Sequence, residues 1–114
     1  MKFSLLLSLY SKENHSFLSD CLASIENNTL SPDQVVIVYD GPIGNELEEI
    51  VNNYAKRLPI DVIPIQKNVG LGSALNHGLK FCKNEIILRM DTDDICMPDR
   101  FAKQIHFLQL HPSV

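Results

Sequence analysis

The stretch Phe3–Leu9 is apolar at consecutive positions and broken only by serine. A strand with one wet face would alternate apolar and polar residues; a continuous run demands cover on both faces, which is the situation of a parallel sheet between helices. The rest of the chain supplies those helices. Phe17, Leu18, Cys21, Leu22 and Ile25 recur at helical spacing behind Asn14 and Ser16, either of which can cap a helix. Residues 35–39 form a short β-branched strand that Asp40-Gly41-Pro42 halts. Asn45 and Glu48 have capping-box spacing, and Leu47, Ile50, Val51, Tyr54 and Leu58 mark a second amphipathic helix. Residues 60–65 form a third strand, which Pro64 places near the sheet edge because proline cannot donate to a ladder. A glycine-bearing loop, Lys67-Asn68-Val69-Gly70-Leu71-Gly72-Ser73, leads to a third helix with Ala74, Leu75, Gly78, Leu79 and Cys82 along one side. Gly78 is costly inside a helix and marks the close approach of another backbone. Residues 85–90 make a fourth strand. Pro98 and Asp99 start a fourth helix through Phe101, Ile105 and Leu108, which stops near His111 and Pro112. The order is βα four times: a three-layer α/β, Rossmann-like parallel sheet with right-handed crossovers, one domain over residues 1–114, to which further strands can be added.

In such sheets ligands bind beyond the carboxyl ends of the strands. Ser8 and Tyr10 follow the first strand, Asp40 the second, Asn68 and Gly70 the third, and Asp91, Asp93 and Asp94 the fourth, so all of them should share one rim. The acids of Asp91-Thr92-Asp93-Asp94 need compensation. Carboxylates roughly 5 Å apart repel by about 3 kcal/mol per pair at an effective dielectric near 20. Solvent, raised pKa values or a divalent cation can offset this, and carboxylate oxygens are the hard ligands that Mg²⁺, Mn²⁺ and Ca²⁺ take.

Charge and cysteine usage exclude several classes. A formal net charge of −4 argues against a nucleic-acid binder. Cys21, Cys82 and Cys96 are too widely spaced for a zinc motif and odd in number for a disulfide framework, the pattern of reduced thiols in a cytosolic protein. His15, His77, His106 and His111 show no metal spacing, and no G-x-x-x-x-G-K-[ST] motif is present. A nucleotidyltransferase would need a glycine-rich loop after the first strand, where residues 9–14 have none, and a phosphatase with an aspartate nucleophile would carry its acids on the first strand.

Taken together, Ser8-Leu9-Tyr10, Val36-Ile37-Val38-Tyr39-Asp40-Gly41, the run from Asn68-Val69-Gly70 through Gly78-Leu79, and Asp91-Thr92-Asp93-Asp94 with Pro98 and Arg100 resemble the N-terminal, nucleotide-sugar-binding half of the inverting GT-A glycosyltransferases of family two. The likeness covers nearly the whole chain. It implies a metal-dependent, inverting transfer of sugar from a UDP- or dTDP-sugar to a hydroxyl of a saccharide or lipid-linked acceptor, in cell-surface polysaccharide synthesis, in the cytoplasm and at the inner face of the membrane. In the family's pattern Asp40 contacts the base, Ser8 and Tyr10 line the nucleoside, Asn68, Gly70 and Asp91 belong to the donor site, and Asp93 or Asp94 meets Mg²⁺ or Mn²⁺. Lys67 and Arg100 are either positive charge for the diphosphate or solvated surface. The chain departs from the pattern at Tyr39, where the family often has a second acid, and at Pro42-Ile43, where it often has Ser-Thr. The family's acceptor site and catalytic base come later, and no residue here matches them. Two further expectations follow: a nucleotide-sugar-binding module without activity of its own as the alternative function, and self-association through an exposed sheet edge.

Overall fold

The doubly covered strand foreseen at the start of the chain lies at the centre of the sheet. The computed structural model describes residues 1–111; Pro112, expected to help stop the last helix, lies outside the described residues. The elements are β1 (Phe3–Leu9), α1 (His15–Glu26), β2 (Gln34–Asp40), α2 (Asn45–Tyr54), β3 (Ile60–Ile65), α3 (Leu71–Leu79), β4 (Ile86–Arg89) and α4 (Arg100–Leu110). The strands pair in parallel in the order β3-β2-β1-β4. Pro64 sits on the edge strand β3, where its missing donor costs nothing.

Each side of β1 packs a different layer. Phe3, Leu5, Leu7 and Leu9 join Val35, Ile37 and Tyr39 of β2 in a core with Leu18, Cys21, Leu22, Leu47, Val51, Phe101 and Ile105 from α1, α2 and α4. Leu6, Val36 and Val38 point the other way, onto Ala74 and Leu75 of α3. The chain steps from β1 through β2 to β3 and then crosses back over α3 to put β4 on the far side of β1. That reversal is the switch point at which open α/β sheets bind ligands.

The local chemistry differs from expectation at several places. Asn14 caps α1, its Oδ1 accepting from the Phe17 amide at 3.1 Å. Asn45 makes no capping box: it is already helical, Gly44 precedes it, and Glu46 and Glu48 favour the first turn through the helix dipole instead. Phe17 and Leu79 flank the buried stripes of their helices and are exposed, because Leu18, Cys21 and Leu22 in α1, and Ala74, Leu75 and Gly78 in α3, already fill the faces turned to the sheet. Leu58 and Cys82 fall in turns just past their helices, with Leu58 still buried. Asp99 precedes α4 but gives no side-chain cap; it pairs with Lys103 at 3.1 Å. Asn28, buried after α1, takes over the capping, accepting from the Phe101 amide at 3.3 Å and donating to the Met97 carbonyl at 2.8 Å.

Gly78 is tight against side chains and not against backbone as expected. A Cβ there would lie 2.6 Å from Val38 Cγ2 and 2.7 Å from Leu6 Cδ1. The backbone approach occurs at Gly41, where a Cβ would come within 2.8 Å of the Asn68 nitrogen. Replacing Gly with Ala inside a helix ordinarily stabilises by roughly 0.5–1 kcal/mol. Gly78→Ala should do the opposite and destabilise by about 1–2 kcal/mol, because α3 must lift from β1 and β2; urea unfolding measures the sign.

Candidate functional site

Four strand ends deliver the site. Ser8 and Tyr10 from the end of β1, Asp40 from the end of β2, Asn68, Gly70 and Leu71 from the loop into α3, and Asp91 and Thr92 from the loop after β4 line one cleft of about 330 Å³. That volume is at the lower end for small-molecule sites, roughly 300–1,000 Å³. The rim foreseen from the strand ends therefore exists for Ser8, Tyr10, Asp40, Asn68, Gly70 and Asp91. Leu71 and Thr92 line it as well without a signal of their own in the sequence: Thr92 is the variable residue between two acids, and Leu71 an apolar position within the glycine-bearing stretch.

Asp40 is buried, and its carboxylate grips the loop that closes the cleft. Oδ1 accepts from the Val69 amide at 2.7 Å; Oδ2 accepts from the Gly70 amide and from Asn68 Nδ2, both at 3.1 Å. Hydrogen bonds to an ionised acceptor contribute about 1.5–3 kcal/mol each. They hold residues 68–70 against the end of β2, and Gly41, next along the chain, leaves space for the backbone of Lys67 and Asn68. An oxygen with two lone pairs takes two donors, so Oδ1 keeps one acceptor position and Oδ2 is saturated.

Asp93 and Asp94 stand beside the cleft, not in its wall. Asp94 shares a neighbouring depression of about 210 Å³ with Arg89, Met90 and Asp91, whereas Asp93 lies with Phe17, Asp20 and Ile95. All three acids nonetheless offer carboxylate oxygens within 4.8 Å of one another, and all are exposed. Oxygens that neighbour one another around an octahedral Mg²⁺ or Mn²⁺ at about 2.1 Å stand about 3.0 Å apart. The triad's oxygens, within 4.8 Å of one another, must draw together to hold such an ion, and its all-oxygen donor set is the kind these ions take. Asp91 belongs to both depressions and so links the cleft to the acid triad.

The turn carrying these acids is fixed from within. The Asp94 amide donates to the Asp91 carbonyl at 3.0 Å and the Asp91 amide to Asp94 Oδ2 at 3.2 Å. From α1, the Cys21 thiol meets the Asp91 carbonyl at 3.6 Å and Ser24 Oγ accepts from the Cys96 amide at 2.9 Å. Burial, chiefly, and then the neighbouring Cys96, Asp94, Glu13 and Asp93, raise the Cys21 pKa far above the ordinary thiol value. Cys21 therefore stays protonated and remains a donor. Arg100 donates to the Arg89 carbonyl at 2.9 Å, and Lys67 is solvent-exposed.

Residues 4–114 match the model of the family described as glycosyl transferase family 2. The chain is 48% identical over 112 residues to the amylovoran biosynthesis glycosyltransferase of Erwinia amylovora, covering 98% of this chain and 42% of that protein. It is 40% identical over 113 residues to the UDP-Gal:alpha-D-GlcNAc-diphosphoundecaprenol beta-1,3-galactosyltransferase of Escherichia coli, covering 99% of this chain and 41% of that one. The chain thus spans about two fifths of the length of these relatives. Among solved structures, S. aureus TarS in complex with UDP-GlcNAc superposes with a TM-score of 0.86 at 27% identity, over 98% of this chain and 32% of that chain.

Asparagine at position 40 keeps one acceptor and turns the other into a donor aimed at backbone N–H groups. Asp40→Asn should cost about 1–3 kcal/mol of stability and speed amide exchange at Val69 and Gly70; unchanged exchange at both would show that the carboxylate does not hold the loop.

Proposed function

The chain belongs to glycosyltransferase family 2, and on that premise we propose that it is the donor-binding part of an inverting, metal-dependent glycosyltransferase serving cell-surface polysaccharide synthesis. The observation that carries this reading is the union, at the β1–β4 switch point, of one cleft with a carboxylate triad at its end. The cleft takes the nucleoside diphosphate and the triad lies where its phosphates end.

The donor in this reading is a UDP- or dTDP-sugar. Ser8 and Tyr10 line the nucleoside. Asp40 Oδ1, with one lone pair still open, accepts the imide N–H of uracil or thymine, a donor that cytosine lacks at that position. Asn68 and Gly70, held by Asp40, form the wall opposite. In the transfer an acceptor hydroxyl attacks the anomeric carbon from the face away from the diphosphate; the carbon–oxygen bond to the diphosphate breaks and the hydroxyl proton is lost to a base. Asp91, Asp93 and Asp94 would hold Mg²⁺ or Mn²⁺, and such an ion would supply positive charge against the departing diphosphate. The base and the acceptor site are assigned to no residue of this chain. The acceptor is a saccharide or a lipid-linked saccharide, which places the work in the cytoplasm at the inner face of the membrane; among the described residues no helix is long and apolar enough to cross one. The two relatives, in amylovoran biosynthesis and as an alpha-D-GlcNAc-diphosphoundecaprenol beta-1,3-galactosyltransferase, support this setting.

The other reading is a module that binds nucleotide sugar and transfers nothing, for which the cleft and the acid triad suffice. Calorimetry with UDP and Mn²⁺ should give heat that depends on both, and Asp91→Asn or Asp94→Asn should weaken the Mn²⁺-dependent part by more than about tenfold. No heat with nucleotide and metal together sinks both readings. Heat without donor hydrolysis or transfer to added acceptor selects the binding module.

Self-association belongs to the same proposal. Among the described residues the outer edge of β4 has no partner strand, and Phe107 and Leu110 of α4 are exposed. Open edges beside apolar surface recruit further chains. Sedimentation should show a concentration-dependent dimer; a monomer up to the solubility limit removes that part of the reading.

A further inference from the structure

Three side chains of the acidic turn face water and one faces the protein. Thr92 is 6% exposed, between acids that are all exposed, and its hydroxyl donates to Glu13 Oε1 at 3.0 Å. Glu13 is half-buried and ends the turn that follows β1, its amide donating to the Tyr10 carbonyl at 3.2 Å. One hydrogen bond therefore ties the wall of the cleft that carries Tyr10 to the wall that carries Asp91 and Thr92. It is charge-assisted, and it pulls on the residue between the acids in the direction opposite to their carboxylates.

We infer that Glu13 and Thr92 are a positioning pair, which sets the separation of the two cleft walls and keeps the carboxylates of Asp91, Asp93 and Asp94 convergent. The inference rests on the metal-binding reading above for its functional consequence, though not for its structural one. Convergence needs a device because the three exposed carboxylates repel one another, and the bond from the Asp91 amide restrains Asp94 alone. The contacts from α1, through Cys21 and Ser24, hold the ends of the turn at Asp91 and Cys96. Inside the motif, Asp94 bonds locally to the Asp91 amide, whereas Thr92 is the side chain that bonds to another element, at Glu13. Glu13 also sets a fourth negative charge behind the triad, which adds to the attraction for a cation while occupying none of its coordination positions. Partners of this outer kind commonly change metal affinity about 10–100-fold when removed.

Three variants separate positioning from plain stability. Thr92→Val keeps the volume and removes the donor; Thr92→Ser keeps the donor; Glu13→Gln keeps the acceptor and removes the charge. Mn²⁺ binding, followed by its electron spin resonance signal with UDP present, should weaken about tenfold or more in Thr92→Val and return to within about threefold of the starting protein in Thr92→Ser. Glu13→Gln should fall between them. Amide exchange at Asp94, whose N–H bonds to the Asp91 carbonyl, should rise in Thr92→Val and not in Thr92→Ser while exchange in β1 and β2 stays unchanged. Equal Mn²⁺ affinity and equal Asp94 exchange in Thr92→Val and the starting protein would overturn the inference. A starting protein that binds no Mn²⁺ overturns the metal reading alone, and the exchange comparison then decides on the pair. If Thr92→Val fails to fold, Glu13→Ala, which removes the acceptor, carries both measurements with Thr92→Ser as its control, and unchanged Mn²⁺ affinity with unchanged Asp94 exchange in Glu13→Ala again overturns the inference.

Discussion

Everything in this protein is referred to β1, buried on both faces and paired along both edges. Its residues Ser4–Leu9 pair with β2 and Phe3–Leu6 with β4, with no contact left to water except near the Ser8 end. Fully burying a leucine-sized side chain contributes roughly 1.5–3 kcal/mol, and Phe3, Leu5, Leu6, Leu7 and Leu9 are all fully buried. Two layers of helix are recruited to supply that cover. The functional consequence comes from the same placement, because a strand flanked by β2 on one side and β4 on the other presents its end where the chain reverses direction across the sheet.

Around that end, charge is used in two opposite ways. Asp40 is a buried carboxylate whose compensation is internal: two backbone amides and one side-chain amide from a single loop. A buried acid so surrounded is a fastener, and the loop it fastens is the wall of the cleft. Asp91, Asp93 and Asp94 are exposed, and their compensation is left to water or to an ion. Solvent exposure keeps the cost of their proximity low and leaves their outward lone pairs free. The contrast explains how one rim can contain four aspartates without becoming unstable: Asp40 is satisfied by the fold, Asp94 in part by the Asp91 amide, and the remaining charge by what lies outside.

Rigidity is likewise distributed unequally. The acidic turn is held from behind by groups that no binding motif would include: the protonated thiol of Cys21, the hydroxyl of Ser24, the carboxylate of Glu13 and, one turn further on, the amide of Asn28. Three of these groups come from α1 or the residue pair just after it, so one helix packed on β1 orients a loop some seventy residues later in the chain. Coupling of this kind lets the acids stay in place without contributing hydrophobic contacts of their own.

The sequence by itself determined the βα order, the parallel sheet, the edge position of Pro64 and the strand ends at which Ser8, Tyr10, Asp40, Asn68, Gly70 and Asp91 would meet. These rest on periodicity and on alternation of element types, which are local properties of the chain. Local patterns misled where a second signal was stronger: Asn45 with Glu48 has capping spacing, yet Gly44 begins the helix, and Phe17 has core chemistry but lies beside a stripe already filled. Only the tertiary structure decided that Asp40 bonds the loop at 68–70, that Gly41 and not Gly78 admits a passing backbone, that Asn28 caps a helix in place of Asp99, and that Thr92 reaches Glu13. Each of these joins residues some thirty to eighty positions apart. A single hydrogen bond or close contact leaves no period in the sequence, so its partners become visible only when the sheet has brought the strand ends together.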